Sequence, residues 1–338
     1  MPQTPQHFVI VGGGTAGWLA ALMLRQALPP DRKITVIESS KIPTIGVGEG
    51  TTAVFRQMLK AFGFDEFEFL RETEATIKFG IRHKDWRRVG YTYDGPIDDP
   101  HLVIEPAGTQ PQSYIDIFSC AAGRKLADTH LFAYLLDQHK APFARKADGG
   151  LVAMGPYHHA FHFDQAKVGQ WLRKKSRGVE MIDAQVSSIT RDANGGDITA
   201  VQSDVGDIKG DFFIDCTGFR RTLITAMGGK WISYAANLPV NRAMPFWLDI
   251  TEDEELTPFT TSWAQSSGWL WMIPTQKRLG CGYVYSDQHI SADHAKAEIE
   301  KTLGRKIEPR NDIKIDSGRL DKAWIANCLA LGLASSFL

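Results

Sequence analysis

The chain has 338 residues, 43% of them hydrophobic and 23% charged, a composition that argues against disorder and a length sufficient for two packed lobes. With 38 basic against 39 acidic residues the formal net charge is -1, so no global field favours nucleic acid or an anionic membrane, and a small molecule is the expected partner. Four cysteines, Cys120, Cys216, Cys281 and Cys328, lie far apart without CxxC spacing, which fits reduced thiols and a cytoplasmic location; no apolar run approaches the roughly 20 residues that span a bilayer.

The N-terminal MPQTPQHFVIVGGG lacks the basic start and apolar centre of a cleavable leader. His7 to Val11 reads as an apolar strand, Gly12 to Gly17 as a turn, and Trp18 to Leu28 as a helix stopped by Pro29 and Pro30. Lys33 to Ile37 gives a second strand that closes on Glu38. Residues 54 to 75 predict helices broken at Gly63, and 76 to 105 strands and loops. Helices are expected over Ala127 to Lys140 and Asp164 to Ser176, then strands over Glu180 to Ile189, Ile198 to Gln202 and Phe212 to Asp215, with a hairpin turn in DANGGD at 192 to 197. Alternating apolar strands fill 231 to 287, Ser291 to Leu303 predicts a helix, and 312 to 338 returns to strand. The last residues, NCLALGLASSFL, stop on apolar side chains, whereas natural ends usually lie in solvent, so a piece of a longer protein is expected.

The first strand, turn, helix, strand and acid form one nucleotide-binding unit. In Gly12-x-Gly14-x-x-Gly17, Gly12 permits the tight turn, Gly14 lets backbone N–H groups approach a pyrophosphate, and Gly17 lets the helix lie close to the strand. The helix N-terminus, carrying Thr15 and Ala16, presents its positive dipole end to phosphate. Glu38 is placed to accept from a ribose hydroxyl. Only one such unit exists, so separate flavin and nicotinamide halves are not expected. FFIDCTGFRR at 212 to 221 and AFHFDQA at 160 to 166 resemble the further nucleotide-contacting segments of flavin hydroxylases, which favours FAD over NAD. The expected fold class is α/β of mixed α+β character. A discontinuous FAD module (1–60, 160–230, 310–338) is interleaved with a β-rich lobe (61–159, 231–309).

In GWLWMIP at 268 to 274, strand alternation puts Trp269, Trp271 and Ile273 on one face and Leu270 and Met272 on the other. Taken alone, this reads as a strand buried between layers. Likewise Lys78 in TIKFGIR reads alone as a solvated strand lysine. His158, His159 and His162 invite a metal reading, but no carboxylate spacing completes a site and a structural role is preferred. Arg220 and Arg221 are read as stabilising a turn or flavin phosphates.

The chain resembles the flavin-dependent halogenases of the tryptophan-halogenase group. GGGTAGW (12–18), IPTIGVGEGTT (42–52), ATIKFGIRHKDW (75–86), FHFDQA (161–166), IDCTGFRR (214–221), NRAMP (241–245), GWLWMIP (268–274), GYVYS (282–286), GRLDKAW (318–324) and NCLALGLASSFL (327–338) occur in family order across the whole chain. W-x-W-x-I-P discriminates best, because ordinary flavin hydroxylases lack it.

The resemblance implies that reduced FAD, O2 and chloride or bromide yield hypohalous acid, which travels through a tunnel to a separate tryptophan- or indole-like substrate. Lys78 would receive it, and Trp269 and Trp271 would wall the flavin off. FAD contacts are implied at Gly12, Gly14, Thr15, Ala16, Gly17, Glu38, Ser39, Val47, Gly48, Glu49, Val186, Gly218 and Leu333. His101 stands where the family has a histidine stacking on the indole. Its context, His-Leu-Val-Ile, departs from the usual His-Pro-Phe-Gly, so a plain loop histidine and a substrate other than tryptophan stay open. A separate NAD(P)H flavin reductase is implied, and a homodimer is compatible with the resemblance. The family's E-P-L-E-S-T segment, whose second Glu partners the lysine, and its helical substrate region would lie beyond Leu338, so the chain as given is expected to be inactive alone. An FAD-dependent aromatic monooxygenase and a non-catalytic FAD-binding protein remain the alternatives.

Overall fold

A computed structural model describes residues 4–42, 48–97, 118–141, 143–153, 159–251 and 253–338. The chain divides into two units: Met1–Gly46, Gln165–Asn241 and Lys314–Leu338 form the first, and Val47–Asp164 with Arg242–Ile313 the second. The chain enters the first unit with β1 (His7–Val11), α1 (Thr15–Ala27) and β2 (Lys33–Glu38). It passes through the second with β3 (Gly48–Gly50), α2 (Ala53–Ala61), α3 (Glu66–Thr73), β4 (Thr76–Lys78), β5 (Gly80–Lys84) and β6 (Thr92–Pro96). Then come α4 (Leu131–Asp137), β7 (Phe143–Arg145), β8 (Leu151–Ala153) and β9 (Ala160–Asp164). The first unit resumes with α5 (Gln165–Lys175), β10 (Glu180–Asp183), β11 (Val186–Arg191), β12 (Ile198–Ser203), β13 (Gly206–Lys209), β14 (Phe212–Asp215), α6 (Thr222–Ala226) and β15 (Trp231–Ser233). The second resumes with β16 (Arg242–Asp249), β17 (Phe259–Gln265), β18 (Gly268–Pro274), β19 (Arg278–Tyr285) and α7 (Ala292–Leu303). After β20 (Ile313–Lys314) the first unit closes with β21 (Gly318–Leu320), β22 (Trp324–Ile325), β23 (Cys328–Ala330) and β24 (Ser336–Phe337).

The first unit is built on a six-stranded sheet in the order β10-β2-β1-β14-β23-β22, parallel except for the β22–β23 pair. Phe8 to Val11 are all buried, the continuous apolar run of a parallel strand covered on both faces. Val9, Val11, Phe213, Leu223 and Ile224 form its core, joined by Ile198 and Val201 of the antiparallel β11-β12-β13 sheet.

In the second unit a large sheet runs β16-β19-β18-β17-β5-β6, with one parallel pairing at β17–β5. Leu270 and Met272 pack with Phe246, Cys281 and Tyr283, against Ala295 and Ile299 of α7. The helix thus covers the Leu270 face. Ser291 caps α7 by accepting from the His294 N–H at 3.4 Å, and Gly304 at φ +68° ends it. A smaller sheet, β3-β9-β4, carries the GEG, AFHFD and TIK segments side by side.

These pairings shift the expected boundaries. β3 and β9 are tied to β4 and so fall in the second unit, whereas β15 pairs with β21 in the first. The strand expected over 180–189 is two strands. Asp204 accepts from the Gln185 N–H at 2.8 Å, and the chain leaves β2 there to join β12. The helix expected over 127–140 contracts to α4, because His130 is extended and caps it with Nδ1 on the Ala133 N–H, and His139 at φ +51° ends it.

Candidate active site

In the first unit the carboxyl ends of β1, β14 and β23 gather three turns. Gly12 sits at φ +112°, and a Cβ there would lie 2.2 Å from the Cys216 carbonyl oxygen. One on Gly17 would lie 1.9 Å from the Gly12 carbonyl oxygen, so the glycines bring turn, helix and strand into backbone contact. Gly14 differs, since nothing stands within 4 Å of its Cβ position. The Thr15 hydroxyl, in the first turn of α1, is buried and has no hydrogen-bond partner among the described residues. An unoccupied donor, an open glycine and a helix N-terminus suit a pyrophosphate, and these residues fit the phosphates of FAD.

Glu38 at the end of β2 flanks this loop: its Oε2 accepts from Trp18 Nε1 at 3.3 Å, and a Cβ on Gly13 would lie 2.4 Å from the same oxygen. Ser39 follows it, its Oγ accepting from the Lys41 N–H at 3.3 Å. Buried Asp215 organises the DCTG turn, with one carboxylate oxygen on the N–H and hydroxyl of Thr217 and the other on the N–H groups of Leu223 and Ile224. This frees Gly218, at φ +66°, to border open space. Gly332 approaches Ala16, where a Cβ on Gly332 would lie 3.0 Å from the Ala16 Cβ, which brings the Gly332–Ala334 turn and Leu333 to the loop. Val186 follows Ala184, whose N–H donates to the Glu38 carbonyl at 3.0 Å, and packs against the apolar core. Arg221 serves a turn, its guanidinium 3.4 Å from the Trp231 ring centroid and donating to the Phe219 carbonyl.

In the second unit the site lies on the face of the large sheet opposite α7. The β17–β18 register pairs Ser262 with Trp271 and Ala264 with Trp269, so Thr260, Ser262 and the two tryptophans share a face. Trp271 lies over Gly282 of β19, where a Cβ would come within 2.0 Å of the indole; the glycine makes the seat. The Trp269 and Trp271 centroids are 6.1 Å apart, and Trp86 extends the row at 6.4 Å from Trp269. Trp86 is anchored by Nε1 donating to the Ser262 carbonyl at 3.0 Å. The two tryptophans of β18 are half-buried rather than sealed between layers.

The β3-β9-β4 sheet packs on this same face. A Cβ on Gly48 would lie 3.2 Å from Gly280 Cα and 3.3 Å from the Ile273 side chain. Register puts Lys78, Ala160, His162 and Gly50 on the side toward the large sheet, and Ile77, Phe161, Phe163 and Glu49 on the other. Lys78 is therefore not a solvated lysine: it is 6% exposed, and among the described residues its ammonium makes one hydrogen bond, to the Thr51 carbonyl at 3.2 Å, and no ion pair. Burial lowers its pKa to about 8. Glu49, on the opposite side and without a hydrogen-bond partner among the described residues, is pushed up to about 7 by burial.

His159 is paired with Glu66 at 2.6 Å, while fully buried His162 lies between Thr76 and Thr260. Among the described residues no group of three His, Cys, Asp or Glu is placed to hold a metal. His158, Val47 and His101 lie outside the described residues. A cavity of about 730 Å³ borders β4 at Thr76 and Ile77; Lys78 and the tryptophans do not line it. Sequence reasoning missed Thr51, Thr260 and Trp86. Thr260 was accessible in principle, as the i−2 neighbour of the serine that pairs with Trp271.

A family model described as tryptophan halogenase matches residues 7–338. The chain belongs to the tryptophan halogenase family. The tryptophan 6-halogenase of Streptomyces toxytricini is 32% identical over 99% of this chain and 68% of its own length, and the tryptophan 7-halogenase of Lentzea aerocolonigenes 33% over 98% and 65%. The solved structure of the Streptomyces enzyme superposes with TM-score 0.88 at 31% identity, covering 99% of this chain and 69% of that one. A flavin-dependent halogenase from Brevundimonas sp. BAL3 gives 0.84 at 33%, covering 99% and 67%. The chain thus spans about two thirds of the length of its relatives in the family. No helix among the described residues is long and apolar enough to cross a membrane.

Proposed function

We propose that this member of the tryptophan halogenase family is an FADH2-dependent halogenase that delivers hypohalous acid through Lys78 to a tryptophan- or indole-like substrate. Gly12, Gly14, Thr15, Ala16, Gly17, Glu38, Ser39, Gly218 and Leu333 are assigned to the cofactor, and Gly48 and Glu49 keep the cofactor role that the family resemblance implies. Val186, half-buried at the start of β11 in the same unit as Gly12, is assigned to the cofactor too. When bound, the reduced flavin supplies hypohalous acid from O2 and chloride or bromide, the electrons coming from a separate NAD(P)H flavin reductase.

The observation that carries the reading is the buried, unpaired Lys78 ammonium on the tryptophan-bearing face of the large sheet. Its Nζ–H donates to the hydroxyl oxygen of the hypohalous acid. As the halogen bonds to the aromatic carbon, the halogen–oxygen bond breaks and water leaves with the lysine proton. The neutral amine then takes the ring proton, which restores the ammonium. A pKa of about 8 suits both halves of this exchange near neutral pH. Two stiff, bulky indoles 6.1 Å apart suit a wall against an aromatic substrate.

Supplying the full-length protein with reductase, NADH, FAD, bromide and either tryptophan or indole tests the reading. Brominated product supports it. Hydroxylated product formed without halide transfers the protein to the monooxygenases.

A further inference from the structure

We propose that the second unit carries a further small-molecule site, for an aromatic carboxylate, in the cavity beside β4 that neither Lys78 nor the tryptophans line. Its volume of about 730 Å³ falls within the roughly 300–1,000 Å³ usual for small-molecule sites. The walls come from α3, the start of β4, the end of α4, the β7–β8 hairpin, the segment before β17 and the turn after β18, all of the second unit.

Side chains spent on the walls hold this space open. Gln276 donates from Nε2 to the Leu70 carbonyl at 2.8 Å and the Ala75 carbonyl at 2.9 Å, which pins α3 and the residue before β4 to the turn after β18. Thr76, which also lines the cavity, donates to the Pro274 carbonyl at 2.6 Å. His139 Nε2 lies 3.3 Å from Arg82, whose guanidinium can only donate, so this nitrogen accepts and Nδ1 donates to Glu255 at 3.3 Å. The end of α4 is thereby tied to β5 and to the segment before β17. A cavity braced in this way needs little reordering to bind.

The lining selects the ligand. Phe67, Ile77, Leu256 and Pro258 supply apolar surface, and Leu151 and Leu256 are left exposed, so an apolar body gains by covering them. Arg71 and Lys140 line the same cavity, and among the described residues neither side chain has an ion pair or a hydrogen bond. The lining acid, Asp65, is engaged as the cap of α3, its Oδ1 accepting from the Glu68 N–H at 2.6 Å. Apolar walls with two uncommitted cations match an aromatic body that carries one carboxylate, the rings covering the leucines and the carboxylate accepting from the cations.

Equilibrium dialysis of the full-length protein, saturated with FAD, against 1-naphthylacetate and its uncharged amide tests this. The carboxylate should bind saturably and about 10-fold more tightly than the amide, the worth of a hydrogen bond to a charged group. Arg71→Gln combined with Lys140→Gln should weaken the carboxylate about 10-fold and leave the amide unchanged. Both positions are exposed, so the variant keeps its fold, which circular dichroism checks. Leu256→Trp, which sets an indole at the mouth, should weaken both probes. The inference is overturned if the carboxylate does not bind saturably, if the charge variant binds it as wild type does, or if that variant loses both probes equally. Unchanged affinities in Leu256→Trp overturn it too. None of these readouts uses halogenation, so they judge the cavity whether or not Lys78 is the catalytic lysine.

Discussion

Gly282→Ala tests the seat of the tryptophan row. The new methyl would lie 2.0 Å from Cη2 and 2.1 Å from Cζ2 of Trp271, far inside van der Waals contact, so the indole or the β18–β19 pair must move. Overpacking of this kind costs about 1–3 kcal/mol. At about 2–4 °C per kcal/mol, a 2 kcal/mol loss lowers Tm by about 4–8 °C. Thermal unfolding followed by circular dichroism gives the loss, and a cycle with Trp271→Leu identifies its source. If the clash is with the indole, the double variant recovers at least about 1 kcal/mol relative to additivity. A Gly282→Ala protein that melts with wild type, or strictly additive effects, would refute the placement of Trp271 over this glycine.

Other predictions follow from the same geometry. Thr15→Val should weaken FAD binding about 10-fold, the worth of one hydrogen bond to a charged phosphate, as read by quenching of flavin fluorescence. Lys78 has a folded pKa of about 8 against 10.5, so its burial costs stability at and below pH 8 and the cost fades as pH rises to 10.5. Lys78→Met should therefore be more stable than wild type by up to about 3 kcal/mol at pH 7 in urea unfolding, and the gain should vanish near pH 10.5. Glu49, raised to about 7 from 4.5, has the opposite sign: its cost appears as pH rises through that window. Glu49→Gln should raise Tm at pH 8 and leave it unchanged at pH 4.

Much of the fold could be read locally. The β1 strand, glycine turn and α1 are set by contiguous residues, as are the break at Gly63 and the opposite faces of Trp269 and Leu270. What escaped was decided at a distance. Val186 looks like the continuation of the strand that starts at Glu180, yet the capture of the Gln185 N–H by Asp204 turns the chain away into another sheet. Lys78 alternates like a solvated strand residue, and only the packing of β3-β9-β4 against the large sheet buries it. Nothing in sequence spacing links Thr76, His162, Thr260 and Pro274, which come from four separate strands.

The central claim, that oxidant formed at the flavin is consumed at Lys78, is tested most directly by comparing the full-length wild-type protein with its Lys78→Ala variant under reductase, NADH, FAD, bromide and indole. Flavin reoxidation and bromoindole are measured in the same reaction. The account predicts reoxidation at the wild-type rate with bromoindole reduced by at least about 100-fold, the usual contribution of a positioned proton donor. Bromoindole formed at the wild-type rate by the alanine variant would contradict it.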